Sequence, residues 1–175
     1  MGVCSLPPQT GCEGPPLISC AHCLAHRRLR TEIIDLAGVV ERAEYLLAKT
    51  QERHDDDYLD GAALNLHGFY AGVERLFEEI AREVDSAVPA GPEWHRDLLI
   101  QMSAEVASTR PAVIGRQTRL CLDIYRGFRH VVRNVYTFQL RPTRIQELTA
   151  ELRACYELVV RDVTAFCEFL ERLDA

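Results

Sequence analysis

The chain has 175 residues, 47% of them hydrophobic and 26% charged, with a formal net charge of −6. That balance excludes a disordered chain and fits one domain able to bury about two-thirds of its unfolded surface. It also excludes a surface that attracts nucleic acid all over, so any RNA or DNA contact must rest on a local basic patch. Arginine supplies nearly all the positive charge, Lys49 being the only lysine. No run of about 18 apolar residues predicts a membrane span. The start lacks a basic stretch followed by an apolar core, so no export signal is expected. A cytoplasmic protein with Cys121, Cys155 and Cys167 as reduced, buried thiols is the corresponding expectation.

Residues 1–26 carry Pro7, Pro8, Gly11, Gly14, Pro15 and Pro16, which break any periodicity and predict a flexible Cys/Pro-rich tail ahead of a domain over 27–175. The tail also holds Cys4, Cys12 and the run Cys20-Ala-His-Cys23-Leu-Ala-His26. A Cys-x2-Cys pair is half of a zinc knuckle, but the rest of the chain offers no second pair at suitable spacing, so no metal or other cofactor is expected.

From Leu29 the pattern turns helical. Ile33, Leu36, Ala37, Val40, Ala43 and Leu47 recur at intervals of three and four, predicting a helix to about Gln51. Asp55, Asp56 and Asp57 place negative charge before a second helix, about Tyr58 to Asp85. Its apolar stripe runs Leu59, Ala62, Ala63, Leu66, Phe69, Val73, Leu76, Phe77 and Ile80, while Glu74, Glu78 and Arg82 are spaced as a solvated face. Pro89, Gly91 and Pro92 end it. A short helix from about Glu93 to Ser103 is anchored by Trp94, Leu98 and Leu99. After Pro111 and Gly115 a fourth helix is predicted from about Gln117 to Phe138, and after Pro142 a fifth from about Thr143 to Leu173. No segment shows sustained period-two alternation. The fold class expected is all-α, an antiparallel bundle of four to five helices.

One segment is arranged for chemistry. On the fourth helix Leu122, Tyr125, Val132 and Val135 line an inward face with Phe128 beside it. One step round, Arg126, Arg129, Arg133 and Tyr136 are spaced three, four and three, and form a second stripe. Guanidinium groups on one stripe repel one another unless an anion or an acid sits among them. Spacing leaves both partners open: carboxylates of neighbouring helices, or a phosphate, which the arginine fork grips through two oxygens. Gly127 inside this helix costs about 1 kcal/mol relative to Ala and hints at a kink or a close approach.

Arg129-His-Val-Val-Arg-Asn134-Val-Tyr136, preceded by Phe128, resembles the Arg-x4-His-x-Tyr signature of HepT-type proteins in the HEPN superfamily. The likeness extends over residues 63–70, Glu74 to Ala81, Pro92 to Asp97 and Arg110-Pro111, covering about 30–173. It implies a HEPN-like bundle that forms a homodimer with the two signatures facing across a cleft. It further implies a metal-independent RNA endonuclease, the toxin of a toxin–antitoxin pair. The antitoxin would be a MntA-type nucleotidyltransferase that silences it by adding AMP to Tyr136.

Metal-free RNA cleavage needs a base for the 2′-hydroxyl and a cation where phosphate charge accumulates. Arg129 suits the second role, with Arg126 and Arg133 as further phosphate-binding groups. The signature histidine, however, is Asn134 here, and an amide does not accept that proton. Either His130 takes the role, about 100° from Arg129 on an ideal helix, or Asn134 only orients and catalysis is attenuated. The alternative function is an inactive HEPN protein that binds a nucleotide, RNA or the partner. His67, Tyr70, Trp94 and His95 lie in the matching segments and are assigned to helix packing and the dimer seam.

Overall fold

The structure is a computed structural model that describes the backbone of residues 21–134 and 140–173, and the side chains of 26–132 and 140–173. Five helices follow in order: α1 (Ala21–Arg53), α2 (Asp57–Glu83), α3 (Trp94–Met102), α4 (Arg116–Asn134) and α5 (Pro142–Leu173). Among the described residues the one β-type pairing is an isolated bridge between Val106 and Arg110. The chain is therefore an all-α bundle, as the periodicity predicts.

α1 starts at Ala21, eight residues before the expected Leu29, so the last six residues assigned to the tail are helical. The prolines and glycines that interrupt periodicity all lie before residue 17, and nothing after them forbids helix. His26 in this first stretch lies 2.8 Å from Glu171 of α5. Cys4, Cys12 and Cys20, with the zinc reading built on them, lie outside the described residues; Cys23 is helical.

Cross-contacts fix the directions of the long helices. Arg28 meets Glu79 and Glu32 meets Arg75, each at 2.7 Å, so α1 and α2 form an antiparallel hairpin. His54, with φ 52°, makes its turn. His26 meets Glu171, while Glu44 pairs with Arg153, so α5 is antiparallel to α1. Tyr125 donates to the Leu148 carbonyl at 2.9 Å, and Asp162 receives Gly115 N–H at 2.8 Å, so α4 is antiparallel to α5. α2 packs against all four other helices.

The core collects Leu36, Val40 and Ala43 of α1, Leu66, Phe69, Val73 and Phe77 of α2, Leu122 and Tyr125 of α4, and Leu148, Leu152, Val159 and Val163 of α5. Phe69 meets Tyr125 edge to face, with ring centroids 5.5 Å apart. Burial pushes the Tyr125 phenol well above its usual range. α1 approaches α2 at Gly72, where an added Cβ would stand 2.6 Å from Leu36 Cδ2. Gly127 is different. A Cβ there meets nothing within 4 Å and α4 runs through it unbroken, so neither kink nor close approach explains it.

Cys121 of α4 and Cys155 of α5 are joined by a disulfide, with Cα atoms 6.0 Å apart. This corrects the expectation of three reduced thiols. Helical periodicity marks both positions as inward, but only the packing of α4 on α5 brings them within bridging range. Cys167 keeps its thiol, buried among apolar neighbours that push it up to about 11.

The stretch between α3 and α4 is held by Arg110, whose side chain is 0% exposed. Its Nε donates to Asp85 Oδ1 at 2.6 Å and its Nη2 to Oδ2 at 2.7 Å. The remaining donors reach the carbonyls of Gln101, Ala104 and Pro111 at 3.0–3.1 Å. One guanidinium thereby ties the exit of α2, the end of α3 and the approach to α4. Asp162 of α5 then caps α4 by accepting from Gly115 N–H and the Thr118 hydroxyl. Burial works to raise that carboxyl, but these donors and Arg161 outweigh it and hold it below the usual carboxylate range.

Asp85→Ala leaves the Arg110 charge buried without its carboxylate, a loss of about 3–5 kcal/mol for a broken buried pair. Urea denaturation is expected to show a drop of that size. A change under about 1 kcal/mol would mean the loop is held by something else.

Candidate functional site

The site is assembled by three helices. α4 contributes Arg126, Arg129 and His130, α3 contributes His95 and Arg96, and Pro92 and Glu93 close one side. Together they line a pocket of about 340 Å³. α2 contributes Glu74 beneath it, with only 4% of the residue exposed.

Glu74, His95 and Arg129 form a closed triangle. Glu74 Oε2 lies 3.1 Å from Arg129 Nε, and Glu74 Oε1 lies 2.6 Å from His95 Nδ1. Arg129 Nη1 and His95 Nε2 are 3.1 Å apart. A guanidinium donates and cannot accept, so Nε2 of His95 must be the acceptor in that contact. That contact places an imidazole proton on Nδ1, the nitrogen 2.6 Å from the Glu74 carboxylate. The Trp94 ring rests against it, centroids 3.6 Å apart and planes tilted by 36°.

Tyr70 lies one turn before Glu74 on α2 and is buried. Burial raises its phenol far above the ordinary value and Glu74 adds to this, against the opposing pull of Arg126 and Arg129. It remains a neutral hydroxyl.

Of the residues expected from sequence, Arg126, Arg129 and His130 are brought to one pocket. Arg126 also donates to Asp123 of its own helix at 2.8 Å. Asn134 ends α4, with its side chain outside the described part, as is that of Arg133. Tyr136 lies outside the described residues altogether. Among the described residues no group of three or more His, Cys, Asp or Glu is placed to hold a metal. No helix of the described part is long and apolar enough to cross a membrane.

Two members of the triangle differ from the expectation of sequence. Glu74 is not part of a solvated face; it turns inward to the site, unlike Arg82, which is exposed and pairs with Glu79 at 3.4 Å. The signal was present: Glu74 is spaced four and three from Tyr70 and Phe77, both buried, so it belongs to an inward row. His95, expected in helix packing, faces the signature arginine. No periodicity reports that, because its partner lies 34 positions away.

Residues 61–170, from the first turns of α2 to the end of α5, match the family model described as HepT-like protein. The chain belongs to the HepT-like family. The match leaves α1 outside, although α1 packs along α2 and α5. No curated protein and no solved structure matches the chain.

The triangle predicts a definite tautomer. In ¹⁵N-labelled protein at neutral pH, His95 is expected to carry its proton on Nδ1, with Nε2 in the acceptor state. An Nε2–H signal for this residue would show that Arg129 does not donate to it.

Proposed function

We propose that this HepT-like protein is an RNA endonuclease that works without a bound metal, the toxin of a toxin–antitoxin pair. The observation that carries this is the convergence of Arg129, Arg126 and His130 of α4 with His95 and Arg96 of α3 on one pocket. Cationic and imidazole groups at one small cavity suit a phosphodiester, which needs charge stabilisation and proton transfer together. Arg129 neutralises charge building on the phosphate, and Arg126 and Arg133 grip neighbouring phosphates. The protein's acidic balance confines the attraction to this face.

The working unit proposed is a homodimer. α4 presents Leu120, Ile124, Gly127 and Val131 at steps of four, three and four on its outer side, the three side chains 41–53% exposed. With Phe128 and Leu140 this apolar strip lies beside the arginine face, as a seam between two signatures requires. The proposed partner is a nucleotidyltransferase of the MntA type that adenylylates Tyr136 in the cytoplasm. Co-expression with that enzyme is expected to raise the mass by one adenylyl group, and Tyr136→Phe to abolish the increase.

A second reading, a binder without catalysis, draws on one observation: Asn134 stands where the family signature has histidine. Both are tested on purified protein with single-stranded RNA in chelator-containing buffer. Wild-type protein is expected to cleave, Arg129→Ala to lose about 10²–10³ of the rate, and Asn134→His to cleave faster. Intact RNA from both wild type and Asn134→His, with RNA still retained, favours the binding reading and ends the enzymatic one.

A further inference from the structure

We propose that His95, held by Glu74, is the general base of the RNA-cleaving reaction, taking the place left by Asn134, and that Arg129 covers its reactive nitrogen until a phosphate draws the guanidinium away. This rests on the endonuclease reading above and names the residue that reading lacks.

Glu74 and His95 have the arrangement a proton acceptor needs. A buried carboxylate 2.6 Å from Nδ1 favours a proton on that nitrogen, and the contact with Arg129 leaves the lone pair on Nε2. The same carboxylate stabilises the imidazolium once Nε2 gains a proton, the role of the acid in a His–acid pair. Nε2 is directed at Arg129, and both residues line the pocket where a phosphate would sit. His130 lines the pocket as well, but from the exposed side of α4.

Nε2 accepts from Arg129 Nη1 at 3.1 Å, while Arg129 Nε stands 3.1 Å from Glu74. The carboxylate occupies the arginine as a phosphate oxygen would. A phosphodiester in the pocket competes for the guanidinium, which bonds two of its oxygens, and the shift uncovers Nε2. Substrate binding thus prepares the base.

The step then balances as follows. Nε2 takes the proton of the ribose 2′-hydroxyl, the 2′-oxygen forms a bond to phosphorus, and the bond from phosphorus to the 5′-oxygen breaks. The departing oxygen takes a proton from a solvent water, and the imidazolium returns its proton to the hydroxide so formed. The products are a 2′,3′-cyclic phosphate end and a 5′-hydroxyl end, and His95 is again neutral.

The test uses the full-length protein and a short RNA oligonucleotide, with rates measured from pH 5 to 9. A 2′-deoxy copy serves as the uncleaved probe for binding. Wild type is expected to cleave with a rate that rises with pH as an imidazole loses its proton. His95→Gln is expected to bind the 2′-deoxy copy within threefold of wild type yet cleave about 10²–10⁴ times more slowly, with the acid limb gone. His130→Gln is expected to keep that limb whatever its rate. Glu74→Gln preserves shape, and is expected to slow cleavage and displace the limb; it decides the matter if His95→Gln does not fold by circular dichroism. Should wild type cleave while His95→Gln matches it, or should the limb vanish with His130→Gln, the assignment of His95 is overturned and the endonuclease reading survives. Wild-type protein that leaves all RNA intact overturns both.

Discussion

The site depends on a charge pair that takes no part in it. Arg110 and Asp85 are both buried, and isolated charges in such a place would be expensive. The cost is offset because the guanidinium is saturated, with both carboxylate oxygens and three carbonyls around it. Those partners come from the exit of α2, the end of α3 and the loop before α4. The segment from Asp85 to Gly115 is a short helix among turns, anchored to the core by Leu98, Leu99, Met102, Val113 and Ile114, and Arg110 ties its turns together. Fixing α3 against α4 sets the distance between His95 and Arg129, and a shift of an ångström there would open the triangle.

Much of the fold was legible because each long helix advertises its inward face. Leu36, Val40 and Ala43, or Leu148, Leu152 and Val159, recur at steps that only a helix satisfies. Pro142 in the first turn of α5 and the acidic run before α2 marked their starts. The start of α1 was missed because His22 to Arg28 lack a strong apolar rhythm. The disulfide was missed because helical phase says which cysteines turn inward, not which of them meet.

For the site, sequence located one wall and missed the other two. The arginine row on α4 stands out because like charges at adjacent turns call for an explanation. Glu74 does not stand out, since Glu74, Glu78 and Arg82 also satisfy the local rule for a solvated face. Which of these three charged residues is buried is decided by α3 and α4. Of the two partners open to the arginines from spacing, the acid is the one seen: Arg129 pairs with Glu74 of a neighbouring helix.

Glu74, His95 and Arg129 stand far apart along the chain, and α5, which braces α4 through Tyr125 and Asp162, comes after all three. A ribosome releases these pieces in order, so the pocket has no walls until α3 and α4 have emerged and no backing until α5 follows. The pocket is therefore tied to the completion of synthesis: a truncated or stalled nascent chain displays the arginine row without Glu74 and His95 correctly set against it.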